Sequence, residues 1–300
     1  TIPLNCLVLI SGVSGCGKSS LIHKALVPLG KQYLADKTIN YNLVKNIKNF
    51  DLIKDIIEIT QSQIGVNSRS VVATYLDIFD DIREIYASTH IAKKFNFNKS
   101  YFSFNIEIGA CENCSGLGEI EDEICPFCLG RRYKPEILNI LFQKLNIYEL
   151  LSLPIKEIDN LFDNPKLKFA FDLLSKLGLS HLSLLRTTPT LSGGEAQRLK
   201  LAKVLIDSYL KIQKGGYLFI LDEPTTGLND KDIVNLYKIF DEILSYKNSI
   251  IVIEHNQNMI RNSDYIIDIG AGSGKDGGKN IFSGTFEDLV LNKNSITAKA

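Results

Sequence analysis

A glycine-rich loop near the start of the chain constrains the fold more than any other feature. Residues 12–19 read Gly-Val-Ser-Gly-Cys-Gly-Lys-Ser, which matches the pattern G-x-x-x-x-G-K-[ST]. An apolar run at residues 4–10 precedes the loop, and a helix-forming run follows it. Strand, phosphate-binding loop and helix in this order predict an α/β domain with a mostly parallel sheet. The alternative, a glycine-rich turn with an incidental lysine, does not explain the flanking strand and helix.

The residue types in this loop match the contacts that a nucleotide requires. Glycines let backbone N–H groups surround phosphate oxygens, and the start of the next helix adds its dipole. The Lys18 ammonium is expected to reach the terminal phosphates, and the Ser19 hydroxyl to bind Mg²⁺. Cys16 is interpreted as a small loop residue. The predicted nucleotide-binding residues are Gly12, Val13, Ser14, Gly15, Cys16, Gly17, Lys18, Ser19 and Ser20.

Two later apolar runs end in residues that suit phosphate chemistry. Residues 217–221 precede Asp222 and Glu223, and residues 249–253 lead to His255 two positions later. Because ligands bind at the carboxyl ends of parallel strands, these side chains are expected at one site with the loop. Asp222 is predicted to hold Mg²⁺, and Glu223 to polarise the attacking water. A histidine in this setting is more often structural, but two neighbouring strands already point to the same place.

A third motif lies at residues 191–198, which read Leu-Ser-Gly-Gly-Glu-Ala-Gln-Arg. Its serine and glycines would begin a helix with free amides and a hydroxyl, which makes a second anion-binding terminus. The alternative is an ordinary glycine-capped helix start. The predicted residues of this loop are Ser192, Gly193, Gly194 and Glu195.

Four of the six cysteines form a compact block of two C-x-x-C pairs. The pairs are Cys111 with Cys114 and Cys125 with Cys128, and a glycine follows each pair two residues later. Four thiolates at about 2.3 Å complete a tetrahedral shell around Zn²⁺ and leave no position for water. A redox pair needs only one C-x-x-C, and disulfides would be unusual beside these motifs. The block therefore predicts a structural zinc site in a reducing compartment.

Composition limits the partners that the chain can attract. Lys+Arg and Asp+Glu are both 34, so no overall field draws the chain toward nucleic acid. The apolar runs are much shorter than the ~18 residues of a membrane span, which predicts a soluble, unexported, cytoplasmic protein with no membrane partner. Any contact with DNA must come from local basic patches. The alternative interpretation is that these basic residues are only solvated surface residues above buried phenylalanines. The candidate DNA contacts are Arg83, Lys93, Lys94, Lys99, Arg131 and Arg132, with Lys134 beside the last two.

The order of the motifs predicts a domain that is split in sequence. The α/β part is expected to span residues 1–60 and 186–300. A largely helical insert is expected at residues 61–185, with the zinc module at residues 108–134. The start of the chain, without an initiator methionine and with a strand almost at once, is expected of a fragment or of a second half.

Taken together, the motifs resemble the UvrA family, the damage-recognition ATPases of bacterial nucleotide excision repair, and specifically their C-terminal cassette. The matching segments cover nearly the whole chain and include GVSGCGKSS, CENCSGLG, CPFCLGRRY, LSGGEAQR, ILDEPTTGL and VIEHN. The resemblance implies an ABC-type ATPase that uses ATP, Mg²⁺ and Zn²⁺ and has no nuclease activity of its own. It also implies that Gln61 lies near Mg²⁺ and the attacking water, and that His255 contacts the γ-phosphate.

The same resemblance implies a composite ATP site, because the signature loop at residues 192–195 caps the γ-phosphate held by the opposite cassette. A single copy of each motif then requires a second cassette, either in a homodimer or in a missing N-terminal half. Damaged double-stranded DNA and repair proteins of the UvrB and UvrC types are the other implied partners.

One departure from the family leaves two functions open. The spacer between the cysteine pairs is acidic at residues 119–123, where a DNA-facing hairpin would favour basic residues. The first hypothesis is an ATP-driven sensor of DNA damage. The second is a nucleotide-switched module that dimerises and docks a protein partner with little affinity for DNA. Transport is disfavoured, because the zinc insert is foreign to transporter cassettes.

Overall fold

The computed structural model describes residues 1–38, 48–59, 69–270, 278–292, 295 and 297. The chain forms two compact units. We call Thr1–Ser62 with Ser208–Ala300 the sheet unit, and Gln63–Asp207 the insert unit.

The second boundary of the insert differs from the sequence prediction. The insert unit ends at Asp207 rather than near residue 185. The backbone N–H of Val72 donates to the carbonyl of Arg186 at 3.0 Å, which ties this segment to the beginning of the insert. Further along, Lys203 Nζ lies 3.2 Å from Asp77 Oδ2. These contacts place the signature loop at residues 192–195 in the insert unit.

In chain order the strands are β1 (Leu7–Ser11), β2 (Asp55–Ile59), β3 (Glu119–Ile120), β4 (Glu123–Ile124), β5 (Leu141–Phe142), β6 (Leu145–Asn146), β7 (Tyr217–Asp222), β8 (Ser249–Ile253), β9 (Tyr265–Gly270) and β10 (Lys279–Gly284). Six of them form one sheet in the order β10-β9-β1-β8-β7-β2. All neighbouring pairs in this sheet are parallel except β9 with β10. The prediction of a mostly parallel sheet is confirmed.

The helices in chain order are α1 (Val27–Asp36), α2 (Val72–Tyr75), α3 (Phe79–Ser88), α4 (His90–Lys94), α5 (Pro135–Leu138), α6 (Ile147–Ser152), α7 (Ile155–Ile158), α8 (Pro165–Lys176), α9 (Gly193–Asp207), α10 (Tyr209–Lys214), α11 (Asp230–Ser245), α12 (Gln257–Arg261) and α13 (Phe286–Leu291). A π-helical segment, Ser20–Leu26, leads into α1. Short 3₁₀ turns lie at Phe50–Leu52, Asp159–Leu161 and Thr188–Thr190.

The core of the sheet unit explains why its central strands are continuous apolar runs. Every residue of β1 and β8 is buried, as expected for strands covered on both faces. Val8, Ile220 and Ile253 belong to one apolar cluster with Ile22 of the π-helical segment and Val27 of α1. This packing fixes the loop between β1 and the π-helical segment against the carboxyl edge of the sheet.

The insert unit is largely helical, as the sequence predicts. Its 12-residue helix α8 starts with Pro165, and the Asn164 side chain accepts hydrogen bonds from two N–H groups of the first turn. Two short hairpins, β3 with β4 and β5 with β6, interrupt the helices. Buried aromatic rings, including Tyr86, Phe102 and Phe171, supply much of its core.

Candidate nucleotide site and cysteine cluster

The glycine-rich loop follows β1, and its conformation requires glycine at two positions. Gly12 has a φ of 134°, and a Cβ there would lie 2.0 Å from the carbonyl oxygen of Ile269. Gly17 has a φ of 104°, which is also unfavourable for a side chain. The Lys18 ammonium folds across the loop and donates to the carbonyls of Gly12 at 2.8 Å and Val13 at 3.1 Å. The lysine ammonium is therefore held against the carbonyls at the start of the loop.

Backbone hydrogen bonds tie together the carboxyl ends of three central strands. The N–H of Glu254 donates to the carbonyl of Ile10 at 3.1 Å, and the N–H of Glu223 donates to the carbonyl of Ile253 at 2.9 Å. Glu223 adopts a left-handed backbone with a φ of 47°. Its Oε1 lies 4.0 Å from Nδ1 of His255. The structure thus brings Glu223 and His255, two of the residues predicted for hydrolysis, to one edge of the sheet.

Glu254 organises this edge, and the sequence analysis did not include it among the site residues. Its side chain is 1% exposed. One carboxylate oxygen accepts from the hydroxyl and the N–H of Thr225, the latter at 3.0 Å. The other accepts from the N–H groups of His255 at 2.8 Å and Asn256 at 3.1 Å. Glu254 therefore fixes both the loop after β7 and the loop after β8, and its position at a strand end is the signal that could have identified it.

A chain of polar contacts reaches Asp222 from the other side. Nε2 of His23 lies 3.3 Å from Oδ2 of Asp222, and Nδ1 lies 3.2 Å from Oε2 of Glu58. Lys31 Nζ lies 2.7 Å from the second oxygen of Glu58. Burial raises the pKa of Glu58, but the hydrogen bonds from Lys31 and His23 outweigh it and leave the pKa below its usual value. His23 and Glu58 were not predicted, because no motif marks them.

The signature loop lies in the insert unit and forms a capping box at the start of α9. The N–H of Ser192 donates to Oε2 of Glu195 at 2.8 Å, and the N–H of Glu195 donates to Oγ of Ser192 at 3.3 Å. Oε1 of Glu195 lies 2.8 Å from Nε2 of His181. The hydrogen bond from Ser192 N–H, together with His181, lowers the pKa of Glu195 to about 2. A Cβ on Gly193 would meet no atom within 4 Å, so the side of the loop at Gly193 is open.

The four predicted cysteines come together in the insert unit. All four are buried, and their Sγ atoms lie within 4.8 Å of one another. Sγ of Cys114 is 3.6 Å from Sγ of Cys128, close to the roughly 3.8 Å edge of a tetrahedron of thiolates around Zn²⁺. The backbone N–H of Cys128 lowers the pKa of the Cys125 thiol to about 7. The donor set and its geometry fit a closed four-thiolate metal site.

Arg83 requires a correction as a candidate DNA contact. Its side chain is buried, pairs with Asp80, donates to the carbonyl of Lys99 at 3.4 Å and stacks on Phe79 at 5.1 Å. A guanidinium held in this way serves the packing of α3. Lys99 also pairs with Asp80, at 3.4 Å.

The remaining basic candidates differ in the exposure of their side chains and in the contacts that these side chains already make. Lys93, Lys94 and Arg131 are exposed, and Arg132 is half-buried with its guanidinium 5.2 Å from the Phe104 ring. Lys134 pairs with Glu112 at 2.8 Å. Gln61 lies outside the described residues.

The loop after β1, the acids at the end of β7 and the histidine after β8, on a sheet of this order, define an ATP-binding cassette of the ABC class. A protein-family model described as ABC transporter matches residues 1–226. The chain therefore belongs to the ABC family, and it is similar in sequence and fold to UvrA proteins. No helix in the described part of the chain is long and apolar enough to cross a membrane.

The similar proteins are much longer than this chain. UvrABC system protein A of Staphylococcus aureus (strain COL) is 39% identical over 308 residues, which cover 99% of this chain and 32% of that protein. UvrABC system protein A of Malacoplasma penetrans (strain HF-2) is 39% identical over 301 residues, or 97% and 31%. The crystal structure of UvrA2 from Deinococcus radiodurans matches with a TM-score of 0.82 at 34% identity, and covers 99% of this chain and 36% of that chain. The chain thus spans about a third of the length of the curated relatives it matches.

Proposed function

We propose that this chain is the C-terminal cassette of a UvrA-type ATPase that binds DNA and recognises damage in nucleotide excision repair, in the cytoplasm. The observation that carries the proposal is the pairing of Glu223 with His255 beside Asp222, in a chain 39% identical to UvrABC system protein A. We further propose that a second cassette completes the ATP site, because the signature loop at residues 192–195 would cap the nucleotide held by another cassette. That cassette comes from a second copy or from an N-terminal half.

The proposed chemistry assigns one task to each group. The loop amides and Lys18 bind the phosphates, while Ser19, Asp222 and Gln61 would hold a Mg²⁺ ion that neutralises phosphate charge. Glu223 orients and polarises the water that attacks the γ-phosphorus, and the bond to the β,γ-bridging oxygen breaks, which gives ADP and phosphate. His255 contacts the γ-phosphate, and the signature loop at residues 192–195 contacts the nucleotide of the partner cassette. The chain is proposed to have no nuclease activity.

The cysteine cluster is proposed to hold one Zn²⁺ ion as a structural centre. Four thiolates are the preferred ligands of structural zinc, and the observed sulfur spacing supports this choice. The metal would connect β3 and β4 to the segment that carries Arg131 and Arg132. Its task is to hold this module in one shape.

One observation favours a second candidate function, a nucleotide-switched module that docks a protein with little affinity for DNA. The turn between β3 and β4 presents Glu121 and Asp122, both exposed and both with positive φ. Ile124 is 72% exposed and Phe127 is 66% exposed on the same module. An acidic, apolar surface suits a basic protein better than a phosphate backbone.

Fluorescence anisotropy on duplex DNA separates the two candidates. Zinc-loaded protein would be titrated onto duplexes with and without a bulky adduct, in ATP and in ADP, across a series of salt concentrations. Damage recognition predicts tighter binding to the adduct, and affinity that falls linearly with the logarithm of salt concentration. The variant Glu223→Gln should keep the ATP-bound affinity without turnover.

Absence of binding at low salt, with ATP-dependent dimerisation intact, would contradict the DNA role and support the docking module. Repair proteins of the UvrB and UvrC types are the proposed protein partners. In that case, binding of a UvrB-type protein should depend on nucleotide.

A further inference from the structure

Three aromatic rings form a ladder on the surface of the insert unit, directly after α4. The rings of Phe95 and Phe97 are stacked with centroids 5.7 Å apart and an interplanar angle of 30°. Phe97 and Tyr101 are stacked at 4.5 Å and 17°. Phe95, at one end, is 58% exposed, whereas Phe102 in the same stretch of sequence is buried. The ladder therefore offers a free ring face to solvent.

The backbone beneath the ladder is held by its own hydrogen bonds. The N–H of Phe95 donates to the carbonyl of Ile91 at 3.2 Å, and that of Phe97 donates to the carbonyl of Ala92 at 2.8 Å. Asn96 between them adopts a φ of 56°, a conformation that asparagine tolerates. The N–H of Tyr101 donates to the carbonyl of Asn98 at 3.1 Å. The rings are thus positioned before any ligand binds, which reduces the entropy lost on binding.

The stretch of sequence that carries the ladder contains basic residues and no acidic ones. Residues 90–101 contain three lysines and no Asp or Glu. Lys93 and Lys94 are exposed, and neither forms an ion pair with a described residue. Nζ of Lys99 lies 3.4 Å from Oδ2 of Asp80, so this lysine already forms an ion pair. An exposed aromatic face beside two free ammonium groups matches a ligand that combines flat rings with phosphates.

We propose that Phe95, Phe97 and Tyr101 form a stacking platform for unpaired bases of DNA, with Lys93 and Lys94 holding the adjacent phosphates. A base of a distorted duplex or of a single strand extends the ladder on the free face of Phe95. A fully paired duplex gains only the phosphate contacts, because its bases are already stacked. The inference rests on the proposed DNA-binding function and names the feature of DNA that this surface selects.

The chain contains no tryptophan, which gives a direct reporter of stacking. The variant Phe95→Trp places a single indole at the end of the ladder. Its fluorescence would be measured with a thymine homopolymer, with a duplex that contains an unpaired bubble, and with a fully paired duplex of the same length. The proposal predicts quenching by the homopolymer and the bubble, and little change with the paired duplex.

Anisotropy on the same three DNAs measures the contribution of the ring to affinity. Phe95→Ala should weaken binding to the homopolymer and the bubble by roughly 5- to 150-fold and leave the paired duplex unchanged. Phe95→Tyr keeps a ring and should restore the affinity. The matched control is Tyr246→Ala, because Tyr246 is also an exposed aromatic residue, at 41%, but lies in the sheet unit directly after α11. This control should not change binding.

Three outcomes would overturn the inference, and they differ in what else they affect. If the chain binds paired duplex and bubble equally and the indole is not quenched, the stacking platform falls while the proposed DNA function stands. If no DNA binds at low salt, both fall. If Phe95→Ala changes self-association in sedimentation and leaves all DNA binding unchanged, the ladder is a protein contact.

Discussion

Nδ1 of His255 lies 4.0 Å from Oε1 of Glu223, although the two residues are 32 positions apart in the sequence. The contact exists because β7 and β8 are parallel neighbours and end at the same edge. Glu223 reaches it with a φ of 47°, a conformation that costs a non-glycine residue on the order of 1 kcal/mol or more. The fold therefore holds Glu223 in an unfavourable backbone conformation, and this places its carboxylate at the predicted site of water attack.

Substitution Glu223→Gln should abolish turnover and keep nucleotide bound. The amide preserves the shape of the side chain but removes the charge that polarises water, which lowers the hydrolysis rate by about 10²- to 10⁴-fold. Single-turnover hydrolysis and retention of labelled ATP on a filter would measure the two effects. Hydrolysis within a few fold of the unmodified chain would show that Glu223 is not the base.

Glu254→Ala should destabilise the sheet unit. The substitution leaves four donors without their shared carboxylate in a site that is 1% exposed. Loss of hydrogen bonds to a buried charge predicts a decrease of about 3–5 kcal/mol in the free energy of unfolding. Urea denaturation followed by circular dichroism would measure it. The exposed Glu84→Ala is the control and should change stability by less than about 0.5 kcal/mol.

An unchanged urea midpoint for Glu254→Ala would contradict the role of Glu254 as the residue that joins the two loops. Glu254→Gln is informative as well. Its amide can accept at one oxygen but presents N–H groups toward the N–H donors of His255 and Asn256, so it should also destabilise.

The parts of the fold that the sequence predicted well are those fixed by burial on both faces. The predicted strands at residues 217–221 and 249–253 match β7 (Tyr217–Asp222) and β8 (Ser249–Ile253) almost residue for residue. Continuous apolar runs between polar ends leave little freedom in where such strands begin and end. The cysteine cluster was predicted for a similar reason, since the ligand spacing is itself the signal.

The features that the sequence did not reveal depend on contacts between distant residues. His23 meets Asp222 and Glu58 across three elements of the sheet unit, and no periodicity records that meeting. Arg83 looked like part of a basic surface, but its pairing with Asp80 and its burial became visible only in the fold. The place of the signature loop in the insert unit likewise depends on long-range contacts such as that of Lys203 with Asp77.

Removal of one cysteine ligand should release the proposed zinc ion. Cys114→Ser replaces a thiolate with a hydroxyl that binds Zn²⁺ poorly, and metal content measured by mass spectrometry should fall from one ion per chain to near zero. Cys6→Ser is the matched control. Cys6 lies outside the cluster, and burial raises the pKa of its thiol to about 11. A metal content that stays at one ion in Cys114→Ser would refute the four-thiolate site.

Glu195 should titrate far below an ordinary glutamate, at a pKa of about 2 rather than 4.5. Because the folded state holds the lower pKa, its charge stabilises α9 above pH about 4.5, and this contribution disappears as the pH falls toward about 2. Because the side chain is 17% exposed, solvent screens part of the interaction. The expected contribution to the free energy of unfolding is therefore about 1–2 kcal/mol. The carboxyl carbon shift in an NMR titration measures the pKa directly. A value near 4.5 would exclude the capping box with Ser192.

Two glycine substitutions should separate a requirement of the fold from a requirement of the assembled ATP site. Gly12→Ala places a Cβ 2.0 Å from the Ile269 carbonyl at a φ of 134°, and should lower stability by about 1–3 kcal/mol or more. Gly193→Ala meets no atom within 4 Å, and should change stability by less than about 1 kcal/mol. If the signature loop closes on the nucleotide of a second cassette, Gly193→Ala should nevertheless reduce ATP hydrolysis and ATP-dependent dimerisation. Thermal unfolding, ATPase assays and sedimentation would measure these effects on the same preparations, and a Gly193→Ala chain that dimerises and hydrolyses ATP normally would contradict the composite site.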